Sequence, residues 1–348
     1  MDYAKSVTRT FGYSPYSQDL QHPGDRRRIA RWAQLTGNQL ELVNFWAKDA
    51  VVFSEATSFH VIRKCKGYRV YDLIDPYFVA DNIGIDLFRS IGKRIIQRDF
   101  SEKFRYTESV KNVCKEVDAV ICSSPEQADY INKYNRNVHV ILDFHSEIPE
   151  LTLSNRQEAE FSILWEGQAA TLDALLKLSE VFEHCRQRFT SVRLFLVTDL
   201  RKYRFNNRYF GKDTESFANK LSRDSDLKIT LLPWSVENLK NAAKQSNLAV
   251  IPVDLTRKSQ ILKPENRLLI MWRLGLFAIA SATPAHLRVQ NMLGVPFACK
   301  NIKDWTNAID QFSREKSNLN DFSIRSREYL LTNHNDDLLV SKWNNVFS

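Results

Sequence analysis

The chain has 348 residues, 43% of them hydrophobic and 26% charged, which is long for one core and has the composition of ordinary soluble globular domains, so two domains are expected. Lys and Arg outnumber Asp and Glu by 49 to 41, and the resulting net charge of +8 favours anionic partners, whether nucleotide, nucleic acid or membrane surface. No apolar run approaches the roughly eighteen residues of a membrane span, the opening MDYAKSVTRTFGYS lacks a signal-peptide core, and Cys65, Cys114, Cys122, Cys185 and Cys299 are scattered with no Cys-x-x-Cys pair, so a cytosolic protein with reduced core cysteines is expected.

In chain order, Lys5–Thr10 reads as a first strand and Phe11–Pro23, rich in Gly, Pro, Ser and aromatics, as a loop. Asp25 then caps a helix whose apolar face is Ile29, Trp32 and Ala33 and which stops at Gly37. Arg26, Arg27 and Arg28 crowd its first turn, where cations oppose the helix dipole. Asp25, Arg26 and Arg27 are therefore candidates for an anion or acceptor contact, with a structural salt-bridge role as the alternative. Leu40–Phe45, Ala50–Ser54 and Tyr68–Ile74 follow as strands, separated by short helices or turns, in the alternation of an α/β domain.

Glu55, Asp72 and Asp75 fall at strand ends, where open α/β sheets collect ligands. Glu55 and Asp72 are acceptor-side candidates on that ground; in the competing account Asp75 caps the next turn and Asp72 satisfies loop amides. Helical patterns cover 79–98 and 107–117, Ala119–Cys122 is a short buried strand, and Ser124 stands three residues before Gln127 as in a capping box. Val138–Leu142 closes this half, and His145–Glu160, polar and aperiodic, reads as a linker.

A second α/β series follows. Phe161–Trp165 is a strand, Glu166-Gly167-Gln168 its turn, and Thr171 the start of a helix through Leu172, Leu175, Leu176, Leu178 and Phe182. Gly167 permits the backbone to approach a phosphate or a sugar. Beyond the strand Val192–Thr198, Arg201–Gly211 interleaves basic and aromatic residues; single-stranded nucleic acid is one reading, and a surface loop or lid is favoured because no nucleic-acid motif accompanies it. Lys228–Pro233 is a strand leading into Trp234, Ser235 and Val236, where a helix begins.

Asn247–Val253 is a buried run, and Arg257, Lys258 and Lys263 occupy the loop after it. Pro264 suits the first position of a helix carrying Leu268, Met271 and Trp272, Gly275 supplies a left-handed stop, and Leu276–Ala280 is an apolar strand. Loop cations beside a helix start converge with free N–H groups and the positive dipole end on an anion, which points to a phosphate site; a plain buried βαβ unit with a solvated basic loop is the alternative. Pro284–Met292 and Ile302–Phe312 read as helices around a short strand Val295–Cys299, and Leu339, Trp343, Val346 and Phe347 form a final apolar stripe.

Pro252, Lys263, Asn266, Arg267, Gly275 and Ser281 together match a strand ending in Pro, a Lys-x-x-Asn-[Lys/Arg] helix start, a Gly twelve residues beyond the Lys, and an apolar strand ending in Ser. This order of parts resembles the nucleotide-sugar-binding half of GT-B glycosyltransferases, especially retaining enzymes of the family-4 type, and AVICSSPEQADYINKYNRNVHVILD resembles the end of their N-terminal domain. The resemblance implies an α/β GT-B fold: two Rossmann-like domains facing a central cleft, acceptor-binding 1–150 and donor-binding 151–322, with 323–348 a C-terminal helix crossing back to the first domain. It implies a glycosyltransferase of hexosyltransferase type, moving sugar from a nucleotide-diphosphate sugar to a glycan or lipid-linked acceptor with retention. Lys263 and Arg257 would serve catalysis by neutralising the departing diphosphate in place of a metal, and no cofactor is needed because the nucleotide-sugar is the substrate. Lys258, Glu265, Asn266, Gly167, Trp234, Ser235 and Val236 would bind the donor.

Two positions depart from the family pattern. Ile270 stands where many members carry a glutamate for the donor ribose, and Leu262 where a second is usual, with Glu265 the available substitute. That departure keeps open a non-catalytic sugar- or nucleotide-binding protein on the same scaffold; a nucleic-acid-binding protein is a third reading. Family habit points to polysaccharide biosynthesis in the cytoplasm, with peripheral contact at the inner face of the membrane through the basic surface.

Overall fold

Short apolar runs become the strands of two separate parallel sheets, and the amphipathic segments between them become crossover helices. The computed structural model describes residues 8–42, 48–97, 105–152, 160–204, 209–295, 297–314 and 318–348. The first half of the chain holds β1 (Thr10–Ser14), α1 (Pro23–Arg26), α2 (Ile29–Thr36), β2 (Gln39–Glu41), β3 (Ala50–Ser54), α3 (Phe59–Lys64), β4 (Tyr68–Leu73), α4 (Ile83–Gln97), α5 (Tyr106–Glu116), β5 (Ala119–Cys122), α6 (Pro125–Ile131) and β6 (Val138–Val140). In the second half come β7 (Phe161–Glu166), a 3₁₀ stretch (Ala169–Leu178), α7 (Ser179–Arg188), β8 (Val192–Thr198), β9 (Arg201–Arg204), β10 (Tyr209–Asp213), α8 (Thr214–Ser225), β11 (Lys228–Pro233), α9 (Val236–Gln245) and β12 (Leu248–Ile251). The chain ends with α10 (Lys258–Ile261), α11 (Asn266–Arg273), β13 (Ala278–Ser281), α12 (Pro284–Met292), β14 (Ala298–Cys299), α13 (Ile302–Arg314), α14 (Asn318–Asn333) and α15 (Asp336–Asn344).

These elements form two units. The first takes the described residues up to His145 together with Arg257–Pro264 and His334–Ser348; the second takes Ser146–Thr256 and Glu265–Asn333. In the first unit the strand order is β2-β1-β3-β4-β5-β6, with each hydrogen-bonded pair parallel. The order reverses at β1, so the crevice beyond the carboxyl ends of β1 and β3 is this sheet's switch point.

Alternation along the strands divides the first unit's core between the two faces of its sheet. Val51, Phe53, Tyr71 and Leu73 face α3, α5 and α6, with Leu262 packed among them. Val52, Val70 and Ile121 face α2 and α15, where Trp32, Leu339, Val340, Trp343 and Val346 close the layer.

The second unit orders its main sheet β11-β8-β7-β12-β13-β14, again parallel, with the reversal between β7 and β12. Gly275 ends α11 in a Schellman turn: its φ is 66°, its N–H donates to Trp272 O, and Leu276 N–H donates to Met271 O, each at 2.9 Å. Two aligned bonds and a positive φ make this a position for glycine alone.

Several local expectations are corrected. The first strand is Thr10–Ser14, starting at the last residue of the expected strand and running into the expected loop, because Phe11 and Tyr13 bury against Trp32 and its neighbours; Lys5, Ser6 and Val7 lie outside the described residues. Similarly, β2 is Gln39–Glu41, and 43–45 lie outside the described residues. The expected helix from Asp25 is broken into α1 and α2 at Arg28, whose backbone leaves helical geometry at φ −128°, ψ −116°. Within the expected loop Arg201–Gly211, Arg201–Arg204 pairs antiparallel with Tyr209–Asp213 as β9 with β10, and 205–208 lie outside the described residues. Thr171 lies inside a 3₁₀ stretch that precedes α7, and Pro264 precedes α11, whose N-cap is Glu265. Tertiary packing overrides local propensity at each of these places.

Candidate active site

In the second unit the turn after β7 lies at the switch point, and the residues that meet there come from four separate segments. Glu166 ends β7; its Oε1 accepts a hydrogen bond from Trp234 Nε1 at 2.9 Å. Trp234 follows β11, and its backbone N–H donates to Thr198 O at 3.0 Å, so the indole is tied to the ends of β7 and β8 together. Arg267, in the first turn of α11, brings Nη1 to 3.5 Å from Glu166 O.

Gly167 makes this approach possible. A Cβ there would lie 3.2 Å from Arg267 Nη1, 3.1 Å from Trp165 Cζ2 and 3.2 Å from Thr171 Oγ1. All three contacts are tighter than a side chain ordinarily tolerates, so the turn is cut to admit the guanidinium.

The electrostatics are those of an anion site. Burial lowers the proton affinity of Arg267 and the Glu166 charge partly restores it, yet among the described residues no carboxylate oxygen lies within ion-pair distance of the guanidinium. Its place in the first turn of α11 also opposes the helix dipole. An arginine held so pays electrostatically for being there unless an anion joins it. Beside it, burial pushes His286 down to about 4, a bond to Ser281 O opposes this, and Arg267 lowers it further. His286 is therefore neutral near pH 7, and the 2.8 Å contact of Nδ1 with the Ser281 carbonyl assigns the proton to Nδ1.

Four buried polar atoms from these segments have no hydrogen-bond partner among the described residues: Glu166 Oε2, Thr198 Oγ1, Trp165 Nε1 and Asn266 Oδ1. Native interiors satisfy nearly all such atoms, so their occurrence on the segments that meet Arg267 makes this a candidate place for a polar ligand.

The other residues singled out in the sequence are placed as follows. Glu265 has only 2% of its side chain exposed, and both of its oxygens accept from Arg288 Nη2, at 3.0 and 3.1 Å. Ser235 caps α9 through Oγ to Asn238 N–H at 3.0 Å, and Val236 begins that helix. Ile270 is buried in the core. Lys263, Arg257 and Lys258 belong to the first unit: Lys263 Nζ lies 3.2 Å from Asp75 Oδ1, Arg257 Nε lies 3.0 Å from Asp81 Oδ2, and Lys258 is exposed. An Asp-x-Asp sequence, Asp224-Ser225-Asp226, sits at the amino end of β11, away from the strand ends that hold this cluster.

In the first unit, Glu55 occupies the switch point after β3. Its carboxylate accepts from Tyr16 OH at 2.8 Å and from Asp75 N–H at 2.6 Å; burial, with the Asp75 charge, raises its proton affinity well above the usual range. Asp25 takes Tyr16 N–H, Ser17 N–H and Tyr13 OH, which fixes the loop after β1. Asp72 is bound by Arg28, Arg26 Nη1 donates to Gln21 O, and Arg27 is buried. Sequence reasoning assigns no function to Glu166, Thr198 or Arg267. The available signal is the charged residue of the Lys-x-x-Asn-[Lys/Arg] start falling opposite a glycine turn.

No protein-family model matches the chain and no curated protein matches it. Among solved structures it is similar to TarM, at a TM-score of 0.59 and 13% identity over 86% of this chain and 54% of that one. It is also similar to WaaG, a glycosyltransferase involved in lipopolysaccharide biosynthesis, at a TM-score of 0.54 and 12% identity over 98% of each chain. A glycosyltransferase from Rickettsia africae ESF-5 gives 0.56 and 11% over 98% and 97%. The fold is GT-B. The chain spans about half the length of TarM, and at these identities the likeness is one of fold. Within a GT-B chain, the cluster around Arg267 belongs to the C-terminal Rossmann-like unit, at the point where its strand order reverses.

Proposed function

We propose that this chain is a glycosyltransferase that moves a hexosyl unit from a nucleotide-diphosphate sugar to a glycan or lipid-linked acceptor, with retention and without a metal. Arg267 is the observation that carries the reading: a part-buried guanidinium with no ion-pair carboxylate among the described residues, set over Gly167 at the start of α11. A cation at a helix start and a strand-end turn suits a diphosphate, whose charge grows as the glycosidic bond breaks. Arg267 then does the work of a bound metal, with Asn266 beside it. Lys263 and Arg257 take second place, because Asp75 and Asp81 already neutralise them. A mutant of TarM from S. aureus is solved in complex with UDP, which makes UDP-sugars the first donors to try.

Thermal-shift titration with UDP, GDP, ADP and their sugars tests the donor site. One nucleotide is expected to raise the wild-type melting temperature by linkage, and Arg267→Ala to abolish the shift while Lys263→Ala reduces it. A wild type that no nucleotide stabilises overturns the reading. The buried Ile270 and the Glu265–Arg288 pair favour a second reading, a binding protein without turnover. It gives the same shift and no sugar transfer.

We propose α4 as the element for a peripheral membrane contact. No described helix is long and apolar enough to cross a membrane. In α4 Asp86 is buried, accepting from Thr107 N–H and Oγ1 at 3.0 and 2.9 Å, and Ser90 is buried too, while Ile83, Leu87, Phe88 and Ile91 are exposed. An exposed apolar helix face of this kind suits contact with a lipid surface. Co-sedimentation with phosphatidylglycerol vesicles is expected for the wild type and lost in Ile83→Ser/Phe88→Ser; equal binding by both would remove α4 from the contact.

A further inference from the structure

Glu166 is 8% exposed, and its carboxylate is only half used. Trp234 Nε1 fixes Oε1 at 2.9 Å, which sets the orientation of the whole group, while Oε2 has no hydrogen-bond partner and no cation within ion-pair distance among the described residues. An ionised carboxylate accepts and never donates, so the missing partner is a donor. Thr198 Oγ1, fully buried at the end of the adjacent β8, also lacks a partner. A hydroxyl oxygen there both donates and accepts, which suits a hydroxyl-bearing ligand equally.

The neighbouring guanidinium of Arg267 asks for the opposite chemistry, an anion. A bare diphosphate would satisfy Arg267 and be repelled by Glu166. A ligand that satisfies both has its negative groups and its hydroxyls a few ångströms apart: a polyhydroxylated ring esterified to a diphosphate.

We infer that Glu166 Oε2, held in place by Trp234, is the hydroxyl-recognising group of this site and determines its preference for a ring hydroxyl beside the diphosphate. The inference rests on the donor-site reading above. The hydroxyl belongs either to the nucleotide ribose or to the transferred sugar, and the two sources separate by experiment. A charged acceptor hydrogen-bonded to a hydroxyl is worth about 10- to 100-fold in affinity.

Calorimetric titration of wild type and Glu166→Gln with UDP, 2′-deoxy-UDP, 2′,3′-dideoxy-UDP and UDP-sugar, repeated in the GDP and ADP series, reads the effect as a ratio. If the ribose is the source, the wild type binds the ribonucleotide about 10- to 100-fold more tightly than its deoxy analogues, and Glu166→Gln binds them alike. If the sugar is the source, the wild type treats nucleotide and deoxynucleotide alike and prefers the nucleotide-sugar, and the variant loses that preference. Glu166→Asp, which keeps the charge and withdraws the oxygens by one methylene, gives the same loss of ratio and stands in if the Gln variant does not fold. Wild-type ratios retained in both variants overturn the inference while leaving the donor site intact. Absence of any nucleotide binding by the wild type overturns both.

Discussion

Arg28 keeps its charge with no exposed side-chain atom, because every direction it faces supplies an acceptor. Nε and Nη2 bind the two oxygens of Asp72 at 2.7 and 2.5 Å, and Nη1 binds Ile141 O at 2.9 Å and Asp143 Oδ1 at 3.1 Å. Burial disfavours the charge, and the two carboxylates more than restore it. Of the two roles open to the arginine cluster, Arg28 takes the salt bridge. Removing one partner leaves the others charged and dry, so Arg28→Ala is expected to cost about 3–5 kcal/mol in urea denaturation; a loss below about 1 kcal/mol would show that water replaces the guanidinium at little cost. His286 gives a pH signature at the same scale. Its folded pKa of about 4 lies below the ordinary 6.5. The unfolded chain therefore binds the extra proton first, and the stability His286 contributes is present above pH 6.5 and lost as pH falls toward 4. Between about pH 7 and pH 5 that loss is about 2 kcal/mol. His286→Gln should flatten the wild-type stability curve by that amount over this interval, and parallel curves would exclude the histidine as its source.

Among elements, legibility followed how local the cause was. Ala50–Ser54, Ala119–Cys122, Val192–Thr198 and Lys228–Pro233 are strands with the bounds their apolar runs gave, and Gly37 and Gly275 end helices in the left-handed conformation. Each signal is complete within a few residues. The strand at Thr10–Ser14 was not legible, since its Gly and aromatics look like a loop until Trp32 and Trp343 are there to cover them. Nor was the break at Arg28, which depends on partners 44 and 115 residues away. The site divides in the same way. Gly167 and Trp234 could be placed at strand ends, but the meeting of Glu166 with Arg267, 101 residues apart, exists only once the sheet order brings β7 beside β12 and α11 follows. That geometry makes Gly167→Ala informative. The new methyl must displace Arg267, Trp165 or Thr171. Nucleotide affinity is expected to fall about tenfold or more, on the scale of one charge-assisted hydrogen bond, with the melting temperature of the free protein changing little. A large drop in melting temperature with affinity unchanged would make the turn a packing feature.

Across the whole molecule, the first unit is not a contiguous segment. Its α2/α15 layer is completed by residues from the far end of the sequence: Leu339, Val340, Trp343 and Val346 join Phe11, Tyr13, Ile29 and Trp32. Trp32 stacks with Trp343 at 6.0 Å, and its Nε1 donates to Asn344 Oδ1 at 2.9 Å. Without the last helix, α2 alone would cover this face of the sheet, so folding of this unit is expected to wait for it. Each of the four side chains stabilises by about 1.5–3 kcal/mol when fully buried. Their sum is comparable to the entire stability of an ordinary domain, about 5–15 kcal/mol. Deleting 336–348 is therefore expected to remove the first unit's cooperative transition, with proteolysis falling on residues before His145 while the core of the second unit stays protected. The point variant Trp343→Ala should retain the transition at a cost of about 3–5 kcal/mol. A deletion mutant that melts as the wild type does would mean that α2 and the sheet hold this face without α15. In that case the apolar stripe at 339–346 covers a core that is already stable.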